Sequence, residues 1–193
     1  STLIVADNGE KDGKEQFAVK IGKALLQCAQ SDENGEDWMF FAAARHLNSI
    51  PSGHHLIDQD TKLKLAELNL HTAELSLYLL AFSNAIEYVK CGIERLSDRE
   101  GDDNMWDTHF DLALELHNVG AQALLGSGNA DEAATYCNKV FERKKDIHQA
   151  LPAYKVYLDI LSGRGDQDKA FDLVLSILEQ LGVKFPKTVR GQK

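Results

Sequence analysis

Little in the 193-residue sequence would staple it covalently or break it into short pieces: it has three cysteines, three prolines and two tryptophans. Cys28, Cys91 and Cys137 are widely spaced, odd in number and each set among apolar, helix-compatible neighbours. That pattern excludes a disulfide framework and reads as reduced thiols, used as small core residues in a cytosolic setting. Long apolar runs are also missing. The stretch at residues 75–82 is interrupted by Ser76 and Tyr78 and falls far short of the roughly 20 residues a bilayer span needs. Basic charge is scarce and scattered, with 21 Lys and Arg against 30 Asp and Glu and a net charge of -9. Neutralising phosphates takes clustered Lys and Arg, so nucleic acid and anionic membrane are excluded as main partners. Residues 7–14 (DNGEKDGK) are charged and glycine-bearing as linkers are, so residues 1–14 are expected to be a flexible lead. The start at Ser1 without a methionine suggests a piece of a longer polypeptide.

What is present is helical periodicity. From Glu15 onward apolar residues recur at three- and four-residue spacing, which is the signature of amphipathic helices. Phe17, Ile21, Ala24, Leu25 and Cys28 form a first stripe; residues 37–46, with Met39, Phe40 and Ala43, form a second helix, and Gly35 marks the turn between them. Pro51 and Gly53 place a loop at residues 49–55. A third helix is expected from Asp60 or Thr61, either of which can cap it, to about Leu77, and a fourth over residues 82–96. An acidic loop at 97–104 precedes helices over 106–125 and 130–141. The seventh starts at Pro152, where the missing amide donor costs nothing, and the eighth covers 167–181 before Gly182.

Internal repetition sharpens this. GNADEAATYCNKV at 128–140 and GDQDKAFDLVLSI at 165–177 superimpose without a gap, each placing a glycine at a turn and an alanine five residues later. A weaker copy aligns Ala85 with Ala133 and Ala170, at separations of 48 (133 minus 85) and 37 (170 minus 133). The tetratricopeptide period is about 34 residues, so the excess falls in the acidic loop and in the linker near 145–150. The expected fold is all-α, with antiparallel helix pairs stacked as a tetratricopeptide-like right-handed solenoid. Residues 15–57 form a divergent leading pair with its loop, 58–188 about three repeat pairs, and 189–193 a tail.

Four segments carry a family resemblance: IGKALL with ARHLN (21–26 and 44–48), KLAELNLHTAELSL (64–77), DLALELH (111–117) and LGVKFP (181–186). Over roughly residues 16–188 the chain resembles the helical region of large multidomain signalling ATPases. In that family a nucleotide-binding AAA-type module precedes tetratricopeptide-like repeats, with sensor, histidine kinase, protein kinase or cyclase domains elsewhere. The resemblance implies a cytoplasmic segment that couples domains or binds protein partners. The family's ATP chemistry needs a G-x-x-x-x-G-K-[ST] loop. The nearest fragments, at 9–14 and Gly22-Lys23, have the wrong spacing and no following Ser or Thr, so no residue is assigned to nucleotide or any other cofactor.

No catalytic constellation is legible either. His54 with His55, and His109 with His117, offer two donors each where a metal wants three or four, and an i, i+8 pair is about 12 Å apart along a helix. Adjacent loop histidines are expected to point apart. Asp102-Asp103 lies in a loop, while Asp131-Glu132 opens a helix, where negative charge favours the exposed amides. Ser127 sits in a turn without a nucleophile elbow. Trp38 and Trp106 read as packing anchors. In such arrays the first helix of each pair lines the concave face. Counting back from the three alanines puts Glu67, Leu70, Glu74, Asn118, Gln122, Lys155 and Asp159 there, as a candidate groove for a protein or peptide partner.

Overall fold

The computed structural model describes residues 2–31, 36–52, 54–97 and 104–183. Among these, every regular element is helical: α1 (Thr2–Ser31), α2 (Asp37–Asn48), α3 (Gln59–Tyr78), α4 (Phe82–Leu96), α5 (Met105–Thr108), α6 (Phe110–Gly126), α7 (Ala130–Arg143), α8 (Leu151–Gly163) and α9 (Gln167–Gln180), with a 3-10 turn at His148–Ala150. The Gly35 turn, Gly53, most of the acidic loop with Asp102 and Asp103, and the chain from Lys184 onward lie outside the described residues.

The helices pack in sequence as pairs, α1 on α2, α3 on α4, α6 on α7 and α8 on α9. Each second helix also meets the next pair, α4 on α6 and α7 on α8, and the first helices α3, α6 and α8 pack in a row. The small alanines of the repeat sit where the helices of a pair approach, with Ala85 and Ala133 wholly buried and Ala170 nearly so. One core runs from α3 to α9 around Leu116, Leu124, Cys137, Val140 and Ile160. A second, built on Val19, Ala43, Ala44, Leu47, Ile50, Leu65 and Leu68, fastens α1 and α2 to α3. Asn48 and Asn69 reinforce that junction, their side-chain amides exchanging hydrogen bonds at 2.6 and 3.0 Å.

The turns that close the pairs share one hydrogen-bond pattern. After α6, Gly128 N–H donates to Leu125 and Asn129 N–H to Leu124; after α8, Gly165 donates to Ser162 and Asp166 to Leu161; after α3, Leu80 donates to Leu77 and Ala81 to Ser76. This 5→2 and 6→1 arrangement needs a left-handed residue at the first position beyond the cap. Glycine supplies it at Gly128 (φ 87°) and Gly165 (φ 76°), whereas the α3–α4 turn uses Leu80 at φ 58°. A side chain in that region costs about 1–2 kcal/mol, and Leu80, 72% exposed, recovers little by burial. Leu80→Gly is therefore expected to raise the unfolding free energy by about 0.5–1 kcal/mol, after the extra entropy glycine confers on the unfolded chain. Urea denaturation reads this directly, and an unchanged or lower midpoint would show that Leu80 is stabilised by contacts beyond the turn.

Several boundaries differ from the sequence expectation. Backbone helix extends through residues 2–14, the segment expected to be a flexible linker, in continuity with the rest of α1. The cap of α3 is neither Asp60 nor Thr61 but Asp58, whose carboxylate accepts Thr61 N–H at 2.8 Å. Hydrogen bonds from the Thr61 side chain and backbone hold the Asp58 carboxyl below the usual carboxylate range. Because the folded pKa is depressed, its contribution is complete above the unfolded value and disappears as pH falls through the folded one. Asp58→Ala should lower the melting temperature near neutral pH and match the parent in acid below that range, a convergence that thermal melts across pH will detect. The expected single helix at 106–125 is interrupted at His109 (φ -135°, ψ 49°), and the short α5 before the break carries Met105 and Trp106 into the core.

The buried side of α1 is also rotated from the expected stripe. Val19, Gly22 and Ala29 are buried, while Phe17 is 65% exposed and Ala24 and Cys28 face solvent. Close approach decides this. A Cβ on Gly22 would lie 2.5 Å from Leu47 Cγ, so the small-residue edge of α1 is the one α2 can reach. Of the cysteines expected in the core, Cys137 is buried, Cys91 half-buried and Cys28 exposed. Trp106 is a packing anchor, but Trp38 is 53% exposed and bonds Glu36 through its indole N–H.

Candidate interaction face

The three first helices α3, α6 and α8 present the residues that sequence register assigned to a groove, at three different depths. Glu67 and Glu74 on α3, Gln122 on α6, and Lys155 and Asp159 on α8 are exposed. Leu70 is half-buried and packs into the core, and Asn118 is 1% exposed. Gln122, Lys155 and Asp159 converge on a cleft of about 600 Å³ between α6 and α8, completed by Leu125, Gly126, Leu151, Pro152 and Val156. Its walls are therefore mixed: an apolar floor from the leucines, Pro152 and Val156, and a polar rim that includes one lysine and one aspartate.

Register missed the apolar residues of this cleft. Leu125 belongs to the stripe of Asn118 and Gln122 on α6, and extending the count by one turn finds it. Leu151 and Pro152 open α8, and their side chains could be placed only once the path of residues 145–150 was known. Glu115 was also missed, although it lies three residues before Asn118 on the same helix face. Burial raises its carboxyl above the usual carboxylate range, helped by the negative charges of Glu74 on α3 and Asp111 on α6.

The side chains considered for chemistry make structural contacts in this fold. His117 is buried, its Nδ1 2.7 Å from the Ala113 carbonyl oxygen, and its ring lies between Trp106 and Tyr136 at centroid distances of 4.8 and 5.2 Å. His54 and His55 do not point apart: their ring centroids lie 4.3 Å from each other, with the planes tilted by 37°. His54 Nδ1 accepts the Leu56 N–H at 3.3 Å, which leaves the Nε2 proton to meet Glu15 at 2.8 Å. Asp131 and Glu132 sit in the first turn of α7, as expected for helix-start carboxylates, and each also reaches a neighbouring pair. Asp131 bonds Arg164, and Glu132 lies 3.2 Å from Lys90. Ser127 donates its hydroxyl to the Leu124 carbonyl at 2.9 Å. Burial pushes the Cys137 thiol up to about 12, far from nucleophilic use. Among the described residues, no three His, Cys, Asp or Glu side chains converge as a metal site, and no helix is long and apolar enough to cross a membrane.

Comparison with known proteins gives one partial likeness. A protein of Dictyostelium discoideum described as a hybrid signal transduction histidine kinase G is 29% identical over 108 residues, or 53% of this chain. The chain spans about 3% of that protein's length. No family model matches the sequence, and no solved structure matches it.

Proposed function

We propose that this chain is a non-catalytic, tetratricopeptide-like solenoid segment of a larger cytoplasmic signalling ATPase, where it couples domains or holds protein partners. The observation that carries the reading is the row of first helices α3, α6 and α8, with the cleft between α6 and α8 that brings Gln122, Lys155 and Asp159 together. Stacked pairs make a stiff element, because each pair buries its apolar face on the next. Such an element transmits position between whatever lies at its two ends, and its first-helix face offers a surface for contact. The partial likeness to a signal transduction histidine kinase supports a signalling setting.

A stand-alone adaptor that takes a peptide in the cleft is the second reading, favoured by the cleft's apolar floor and polar rim. Cross-linking from Lys155, followed by mass spectrometry of the intact parent protein, tests the first. Links to a flanking domain or a bound protein are expected, and links confined to these helices would sink it. Reversing charge with Glu74→Lys and Asp159→Lys separates the two readings in pull-downs, since only an adaptor must lose a soluble partner.

A further inference from the structure

Each terminal helix of the stack carries an apolar stripe that the fold leaves uncovered. Phe17, Ile21, Ala24 and Cys28 lie at i, i+4, i+7 and i+11 on one face of α1, and Phe171, Leu175 and Leu178 repeat the first three of those spacings on α9. Among the described residues neither stripe joins a core: α1 reaches its core through Val19, Leu25 and Leu26, and α9 through Leu173 and Ile177. Phe17 is 65% exposed and Phe171 61%, while Ile21, Leu175 and Leu178 are half-buried. A contiguous apolar face of this kind marks a contact surface. The borders of the two stripes carry opposite charge. Between residues 13 and 31, α1 exposes Lys14, Lys20 and Lys23, and its one carboxylate there, Glu15, lies 2.8 Å from His54. Helix α9 exposes Asp168, Asp172 and Glu179, and its one cation, Lys169, lies 3.0 Å from Asp166.

The fold itself contains the rule for joining these two faces. Second helices α2, α4 and α7 each pack on the first helix of the following pair, α3, α6 and α8. Helix α9 is a second helix and α1 a first helix, and among the described residues neither has such a partner. We infer that a second copy of this chain continues the stack, with α9 of one copy packed on α1 of the next. In the junction Phe171, Leu175 and Leu178 of one copy meet the stripe of Phe17, Ile21 and Ala24 on the other. The acidic border of α9 then runs along the basic border of α1, and complementary charge at the rim fixes the partner and its orientation. Because the contact joins two different surfaces it is head-to-tail, and every copy added leaves one free α1 face and one free α9 face for the next. The cleft between α6 and α8 takes no part in it, so this association and the interaction-face reading stand or fall separately.

Sedimentation velocity of the intact chain, in a series from micromolar to near-millimolar concentration, tests it. The weight-average mass should climb with concentration past that of a dimer. Phe17→Glu blocks the α1 end and Phe171→Glu the α9 end, and both change side chains that already face water. Each variant alone should self-associate at least about tenfold more weakly than the parent. An equimolar mixture of the two should recover a one-to-one dimer and nothing larger, with a dissociation constant within about twofold of the parent's, because one native α9 and one native α1 remain. A parent that stays monomeric throughout the series overturns the proposal, and so does a mixture that stays monomeric. Self-association of either variant at the parent's strength also overturns it, since that result means like ends pair with like. Should a Glu variant lose helix by circular dichroism, Phe17→Gln or Phe171→Gln takes its place in the same comparison.

Discussion

Leu116→Ala will lower the unfolding free energy by about 2–5 kcal/mol, the cost of emptying a closed core site, and Gly92→Ala will change sign in its presence. Leu116 is wholly buried on α6 at the centre of the main core. Its Cδ2 fills the space over Gly92 of α4, where an added Cβ would come within 2.7 Å of it, with Asn69 Cβ at 3.3 Å on the other side. In the parent, Gly92→Ala gains about 1 kcal/mol of helix propensity but meets about 1–3 kcal/mol of overpacking, for a net loss of up to about 2 kcal/mol. In Leu116→Ala the clashing methyls are gone and only the 3.3 Å approach to Asn69 Cβ still opposes the propensity gain, so the substitution stabilises by up to about 1 kcal/mol. A double-mutant cycle by denaturant unfolding should return a coupling of about 1–3 kcal/mol. Additive effects would mean that α4 and α6 can slide apart, and that the tight crossing between successive pairs is not a fixed feature of the stack.

The same crossing explains how much of the fold could be read in advance. Ala85, Ala133 and Ala170 were found from repetition alone, because helix pairs joined by one turn geometry need a small residue at a fixed distance beyond it. Leu80 shows the limit of that logic: its turn has the hydrogen bonds of Gly128 and Gly165, yet a leucine there gives no turn signal in the sequence. On α1 the apolar pattern pointed to Phe17 and Cys28, while the structure buries Val19, Gly22 and Ala29. Hydrophobicity counts side chains, but the approach of α2 is governed by where α1 has the least side chain. Register placed the candidate residues on the first helices but did not give their depth. Asn118 and Lys155 come from corresponding first helices, yet α6 has neighbours on both sides in the row, α3 and α8, whereas α8 is the last member. Asn118 is therefore buried and Lys155 exposed.

Arg95 presents the other large effect, and its direction depends on what replaces it. Arg95 is 4% exposed at the end of α4, where Nη2 donates to the Ile50 carbonyl at 2.7 Å, while Nε and Nη1 have no partner. Its neighbour Glu94 favours the charge at a distance but makes no hydrogen bond to it, because that carboxylate is exposed and accepts the Ser52 hydroxyl at 2.9 Å. Burial draws the guanidinium below its usual value, but arginine starts so far above neutrality that the charge persists. One hydrogen bond to a charged group contributes about 1.5–3 kcal/mol, whereas an incompletely paired buried ion costs several kcal/mol. Arg95→Met keeps the apolar stem and removes the charge, so it should be at least as stable as the parent. Arg95→Ala removes the charge and also about three methylenes of packing, at about 0.8 kcal/mol each, so it should fall about 2–3 kcal/mol below the methionine variant. If both variants lose the same amount, the contact with Ile50 outweighs the charge and the stem together. The leading pair would then be held to α4 chiefly by a single hydrogen bond, and hydrogen exchange at Ile50 and its neighbours should rise in both variants alike.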